Sequence, residues 1–390
     1  MINNEVGAIV IGGHFHALGL IRSLAKKGVK SVLIDHEPCM ARYSRYVWKY
    51  YRCPHFSESE KFIRFLIRLA DQFKLKNYVL FPTCDETIFT ISKNKDLLSA
   101  YFKVTTPAWD CVKYAYNKKL TYSIAENAGI PIPKTYYPAS EKDLPHLKLN
   151  YPVVLKPAVV YRFFKRTKTK VFQINNEDDL FKYYRLACSI IPKEEIMLQE
   201  KIQDACNNLY SFCPWFKNKQ VLAQVTAKRL RQHPMEFGQA STLAVSMRVP
   251  ELETLGVELL RAINFYGICE IEFLLDSRDH KYKLLEINPR VWGWHTIASA
   301  AGVNLPWYLY SDMMGKEIRK QGFLEGVKWR RFITDTPTAI TEIFRGRLTW
   351  KEYTHSVSHI HEHAVFSYND PLPFFGEFFM LPYLWKKRGF

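Results

Sequence analysis

The 390-residue chain carries 55 Lys plus Arg against 38 Asp plus Glu, a formal charge of +17, with 47% apolar and 24% charged residues. That balance excludes an extensively disordered or fibrous chain, and at roughly 100 to 200 residues per domain the length implies two or three domains. No apolar run reaches the roughly 18 residues of a spanning helix, and the start, MINNEVGAIVIGGHFH, has no basic stretch ahead of its short apolar run, which argues against secretion or insertion. The eight cysteines form no CxxC pair or zinc-spaced Cys/His group, as expected of reduced thiols in a cytoplasmic protein. Net positive charge suits anionic partners, but the aromatics are spread along the chain rather than set within one basic segment, which argues against nucleic acid.

In chain order, Ala8 to Ile11 is apolar and predicts a strand, Gly12 and Gly13 a tight turn, and Leu20, Ile21 and Leu24 a helix from His16 to Lys27. Ser31 to Ile34, ending at Asp35, predicts a second strand and hence a βαβ unit with a parallel sheet. Gly12, Gly13 and Gly19 do not make G-x-G-x-x-G, so they read as turn and helix-packing residues rather than a nicotinamide site. Tyr78 to Phe81 predicts a further buried strand; beyond it Asp85 and Glu86 are placed either for substrate contact or for capping a turn. A helix from Leu120 to Asn127 stops at Gly129, and Ile130 to Pro133 leads into new strands, which sets a boundary near residue 115. The expected division is 1–115, 116–310 and 311–390, the last part helical and aromatic.

Gly267 to Leu275 and Lys281 to Arg290 are alternating apolar runs flanking a polar Asp-Ser-Arg-Asp cluster, and predict a β-hairpin. With a three-residue turn at 278–280, Leu274 would face Leu284, Glu272 would face Glu286 and Glu270 would face Asn288, all on one side of the sheet. Opposed carboxylates repel, and Glu272, Glu286 and Asn288 are the hard oxygen ligands that Mg²⁺ accepts when phosphates complete its shell; the alternative is an acidic strand face paired with Lys and Arg. In Val153-Val154-Leu155-Lys156-Pro157 a lysine ends an apolar strand, suited either to a phosphate or to snorkelling at the surface. Ile196 to Ile202 is another apolar strand with a polar exit.

Lys118 before Gly129-Ile130-Pro131, Val-Val-Leu-Lys156-Pro, Leu-Gln-Glu200-Lys-Ile, Lys228-Arg-Leu-Arg231-Gln-His-Pro, and Glu272…Glu286-Ile-Asn288-Pro-Arg290 occur in an order that resembles the ATP-grasp superfamily, in particular its carboxylate-amine ligase branch, which includes D-aspartate ligases and carbamoyl-phosphate-synthase-like proteins. The resemblance covers residues 1 to about 310. It implies an α/β and α+β architecture: a Rossmann-like preATP-grasp domain, then the ATP-grasp fold, then a helical C-terminal extension. It implies ATP with Mg²⁺ (or Mn²⁺), and an ATP-dependent ligase joining a small-molecule carboxylate to an amine through an acyl phosphate; the alternative is a catalytically silent nucleotide-binding protein. By the same resemblance Lys118 and Lys156 would contact the phosphates, Glu200, Lys201 and Ile202 would bracket adenine, and Asn207 or Asn208 stands where the family often has an acidic residue for the ribose. Lys228 joins the nucleotide set; Glu272, Glu286 and Asn288 match the metal ligands; Arg290, with Lys156 and Arg231, makes up the catalytic set. Glu270 matches no family ligand position. Where many members have a glycine-rich flap, residues 158–170 contain no glycine but have Arg162, Lys165, Arg166, Lys168 and Lys170, a basic loop that either covers the triphosphate by charge or is simply solvated. A homodimer is the default assembly. The aromatic segment Phe374 to Trp385 followed by Lys386, Lys387 and Arg388 reads either as packing against the body or as a peripheral membrane contact.

Overall fold

The computed structural model describes residues 6–383 apart from Gln239 and Lys320. The N-terminal region places β1 (Ala8–Ile11), β2 (Ser31–Asp35), β3 (Val47–Arg52), β4 (Val79–Pro82) and β5 (Lys103–Val104) in one parallel sheet of order β3-β2-β1-β4-β5. Its helices are α1 (Phe15–Ala25), α2 (Ser59–Gln72), α3 (Asp85–Lys93) and α4 (Lys95–Ser99). The βαβ reading holds, with α1 beginning and ending one to two residues before the sequence estimate. Gly12 sits at φ +91°, where a side chain is strained, and a Cβ there would lie 2.6 Å from Thr83 Oγ1. A Cβ on Gly19 would fall 2.4 Å from Thr296, so this glycine lets α1 approach the later helices closely.

Two helices, α5 (Trp109–Tyr116) and α6 (Lys118–Asn127), lead into a small antiparallel sheet of β6 (Thr135–Tyr136), β7 (Val153–Pro157), β8 (Phe172–Ile174) and β9 (Ile196–Glu200), ordered β6-β9-β7-β8 and flanked by α7 (Val160–Thr167) and α8 (Glu177–Cys188). Asn117 caps α6 by accepting from the amides of Lys119 and Leu120. The large sheet follows: β10 (Leu209–Lys217), β11 (Gln220–His233), β12 (Ala240–Ser246), β13 (Gly267–Ile268), β14 (Glu270–Asp276) and β15 (Lys281–Asn288), with α9 (Pro250–Ala262) on one face. The two faces of this sheet pack against different partners. Tyr210, Phe212, Phe273, Leu284 and Ile287 pack with Leu252 and Leu259 of α9, while Cys213, Trp215, Val225, Ala227 and Ala244 share a core with Leu18, Leu20 and Ile21 of α1.

The chain then forms α10 (Thr296–Ala300), α11 (Leu305–Met313), β16 (Lys328–Arg330), α12 (Phe332–Phe344), α13 (Trp350–Ser356), β17 (Glu362–His363) and α14 (Leu372–Phe379). The last region is therefore more than a helical extension: β16 pairs antiparallel with β12, and β17 parallel with β16, lengthening the large sheet. Only three and two residues long, these strands are too short to show a period in the sequence.

Buried charge ties this region down. Asp335, fully buried, accepts from Arg231 Nε at 2.8 Å, Arg330 Nε at 2.9 Å and Thr242 Oγ1 at 3.1 Å. Arg22 of α1 donates to Asp370 at 2.9 Å, and Ser44 Oγ donates to the same carboxylate at 2.7 Å. Removing one member of such a cluster strands the others away from water. Asp335→Ala should therefore cost about 3 to 5 kcal/mol in a urea unfolding titration. A loss below about 1 kcal/mol would show that the cluster is not what holds α12 to the sheet.

Candidate active site

Strands β14 and β15 pair with Glu270 opposite Asn288 and Glu272 opposite Glu286, the alignment expected at this end. A bulge between Glu272 and Phe273 then shifts the register, so Leu274 faces Lys283 rather than Leu284 and the turn spans four residues, 277–280. Leu284 consequently lies opposite Phe273, in the α9-side core and not on the carboxylate face. Counting from an assumed turn gave the right pairing at the site because the extra turn residue and the bulge offset one another.

The four polar side chains converge. Asn288 donates from Nδ2 to Glu270 at 3.1 Å, Glu272 at 3.3 Å and Glu286 at 3.4 Å, which puts the three carboxylates on one side of the sheet. Glu270 and Glu272 are 3% and 8% exposed. Lys118, the first residue of α6, bonds Glu286 at 2.5 Å. Arg229, from β11, reaches Glu272 at 3.1 Å and Glu270 at 4.0 Å through Nη2, and its buried Nε has no hydrogen-bond partner. Ser211 donates to Glu270 at 3.1 Å.

Environment separates the carboxyls. Burial and then the Glu272 charge raise Glu270, with Arg229 opposing. Burial also raises Glu286, but the charges of Lys118 and then Lys170 more than offset it and hold that carboxyl well below its usual range. Burial lowers the Lys156 ammonium and nearby Lys118 adds to the effect, while Tyr122 works against it. Lys156, at the end of β7, donates to Tyr122 Oη and Gln199 Oε1, both at 2.6 Å; the Tyr122 hydroxyl in turn donates to the Leu285 carbonyl at 2.9 Å. The small sheet, α6 and the hairpin thus meet at one place.

Arg290 extends the cluster toward the N-terminal sheet. Its Nε donates to Asp85 at 2.6 Å and its Nη2 approaches Asn288 Oδ1 at 3.5 Å. Asp85 is in the first turn of α3, at the carboxyl end of β4, and reaches the cluster through Arg290. The Asp85 side chain is largely exposed, and the charge of the Arg290 guanidinium beside it holds the carboxyl below its usual range.

Other sequence candidates lie elsewhere. Lys228 stands opposite Tyr210, on the face away from the carboxylates, with its ammonium 5.3 Å from the Tyr210 ring centroid. Its neighbour Arg229 takes the inward place, as strand alternation requires and as pairing Ser211 with Ala227 and Glu272 could have revealed. Arg231 is committed to Asp335 and to Ser356 Oγ at 3.0 Å, beneath α12 and α13. Glu200 accepts from Arg278 in the β14–β15 turn at 2.5 Å, Lys201 donates to Gln173 at 2.7 Å, and Ile202 is buried with Leu209 and Leu274. Asn207 is exposed in a turn, its amide donating to the Asp204 carbonyl at 3.0 Å; the Asn208 carbonyl accepts from the Leu275 amide at 2.9 Å. The basic loop expected after Lys156 is helical from 160 to 167, with Phe163 in the small-sheet core and Lys168 closing the helix at φ +59°.

The carboxylates, the amide and the two lysines fit a metal-bound nucleotide. Three carboxyl oxygens point at one spot filled by the Asn288 amide, and turning that amide would present Oδ1 as a further oxygen ligand. Residues 213–307 match the family model described as carbamoyl-phosphate synthase L chain, ATP binding domain. The chain is 25% identical to a D-aspartate ligase of Enterococcus faecium over 332 residues, 80% of this chain and 77% of that one. It spans only 20% of a carbamoyl phosphate synthase large chain of a Thermoanaerobacter species, at 22% identity over 54% of its own length. Among solved structures, a biotin carboxylase from Campylobacter jejuni in complex with β-γ-ATP superposes with TM-score 0.65 at 17% identity, covering 81% of this chain and 73% of that one. An L-amino acid ligase from Bacillus licheniformis gives 0.62 at 15%, covering 80% and 74%. The fold is the one these ATP-grasp structures share, and the sequence is similar to ATP-dependent ligases of that superfamily.

Glu270 supplies a test of the cluster. Its folded carboxyl titrates above its unfolded value, so ionising it costs stability as pH rises from about 4.5 to about 8. Glu270→Gln should therefore unfold at a higher temperature than the wild type near about pH 9, by an amount worth about 1 to 3 kcal/mol, with the gap closing toward about pH 4. A gap independent of pH would mean that Glu270 is not buried against Glu272.

Proposed function

We propose that the protein joins a small-molecule carboxylate to an amine at the expense of ATP, through an acyl phosphate, releasing ADP and phosphate. The observation that carries this reading is the convergence of Glu272, Glu286 and Asn288 on one side of the hairpin, with Lys118 at 2.5 Å from Glu286.

A carboxylate is a poor electrophile, and phosphorylation gives its carbonyl a leaving group. The carboxylate oxygen attacks the γ-phosphorus and ADP departs; the amine nitrogen then attacks the carbonyl carbon and phosphate departs. Positioning and charge stabilisation are what such transfers require of a protein. Lys118 and Lys156 would hold the transferring phosphates, and the strand exit 200–202 would border the base. Mg²⁺ or Mn²⁺ held by Glu272, Glu286 and Asn288 would neutralise charge on the phosphate oxygens. Arg290, held in orientation by Asp85, is the donor for the carbonyl oxygen when the amine attacks. Arg229 balances Glu270 and Glu272 and keeps a buried Nε–H without a protein acceptor, suited to an anionic substrate oxygen.

A second reading, a nucleotide-binding protein without turnover, is favoured by one feature: α7 and the glycine-free segment stand where a mobile backbone flap would close. Incubation with ATP, Mg²⁺ and pooled amino acids and carboxylates, with hydroxylamine as a trap, separates the two. Substrate-dependent ADP and a hydroxamate are expected from the wild type, and loss of about 100-fold or more from Glu286→Gln and Lys156→Met. Nucleotide binding without ADP release would support the silent reading, and full activity in either variant would remove the assigned roles.

A further inference from the structure

Helix α14 has the reverse of the usual surface pattern. A helix on a water-soluble protein turns its apolar stripe inward and its charges outward. Here the only charged side chain, Glu377, is 1% exposed and accepts from Arg331 Nη2 at 2.6 Å, on the buried side with Pro373 and Gly376. The outward side carries Leu372, Phe375, Phe378 and Phe379, exposed by 61, 54, 41 and 87%. At 100° per residue these four share one half of the helix surface, so they make a continuous apolar ridge and not scattered single residues.

The inner side fixes the ridge in place. A Cβ on Gly376 would lie 2.5 Å from the Tyr43 ring, so α14 is seated directly on the short helical segment Met40–Tyr43. That segment brings cations to the flank. Arg42 is exposed, with its guanidinium 5.1 Å from the Tyr43 ring centroid, and exposed Arg45 donates to the Asn369 carbonyl just ahead of α14. In the sequence the helix is followed, after four further residues, by Leu384, Trp385, Lys386, Lys387, Arg388, Gly389 and Phe390, which lie outside the described residues.

We propose that α14 is a peripheral docking surface for an anionic lipid bilayer, with Leu372, Phe375, Phe378 and Phe379 entering the headgroup–acyl boundary while Arg42 and Arg45 meet the lipid phosphates. The ridge is convex and aromatic, a shape that enters a soft interface rather than receiving a protein helix, and the cations beside it select an anionic surface. The protein's net charge of +17 acts in the same direction. Among the described residues no helix is long and apolar enough to cross a membrane, so the contact is superficial. The ridge is distinct from the ligase cluster, and its occupation does not depend on turnover.

Sedimentation of the full chain with vesicles tests it. Vesicles of phosphatidylcholine mixed with phosphatidylserine should carry the protein down, phosphatidylcholine alone should do so far less, and salt should weaken the binding. The double variant Phe375→Ser/Phe379→Ser should lose at least about tenfold in partitioning while binding ATP as the wild type does. Arg42→Glu/Arg45→Glu should lose the preference for anionic lipid. Wild-type protein that stays in the supernatant with anionic vesicles overturns the proposal. So does a wild-type dimer, measured by light scattering without lipid, that the double serine variant converts to monomer, because the ridge would then be covered by a second copy.

Discussion

Three carboxylates held on one face of a hairpin, two of them almost fully buried, set the electrostatic problem around which the protein is arranged. Left alone they would repel one another in a medium too dry to screen them. Each cation in the neighbourhood answers part of this: Lys118 from the start of α6, Arg229 from the adjacent strand, Arg290 from the end of the same hairpin. None of these contacts is local in sequence except the last. The cluster therefore makes the small sheet, the large sheet and the N-terminal sheet depend on one another, and a nucleotide with its metal would join a network of countercharges already in place.

The charge network runs outward from there. Arg290 is held by Asp85, which starts α3 beyond the fourth parallel strand, the edge where α/β sheets place ligands. Arg231, two residues along β11 from Arg229, turns instead to Asp335 and secures the C-terminal helices to the sheet. One strand thus serves the carboxylate cluster with one arginine and the fold with another. A bulged register between Arg229 and Arg231 accompanies the change, so alternation counted from Arg229 does not predict where Arg231 points.

Much of the site could be read from residue order because its chemistry is carried by strands with alternating side chains. The period of two placed Glu272, Glu286 and Asn288 on one face, and the lysine ending an apolar strand marked Lys156. The same reasoning missed Arg229 and chose Lys228, since an isolated strand has two faces and only its neighbours say which is inside. It missed Tyr122 and Gln199, whose value lies in meeting Lys156 across separate elements. It took residues 158–170 for a loop, although Phe163 docking on the small-sheet core stabilises a helix there.

The sequence by itself determined the parallel βαβ opening, the hairpin and its polar face, and the resemblance to the ATP-grasp superfamily, because each rests on a short repeat or a local spacing that survives any packing. Tertiary structure decided which cations answer those carboxylates, that the last region adds strands to the large sheet, and that α14 turns its phenylalanines outward. Those outcomes depend on long-range pairings whose stability comes from burial and charge compensation between distant segments, and no local pattern encodes them.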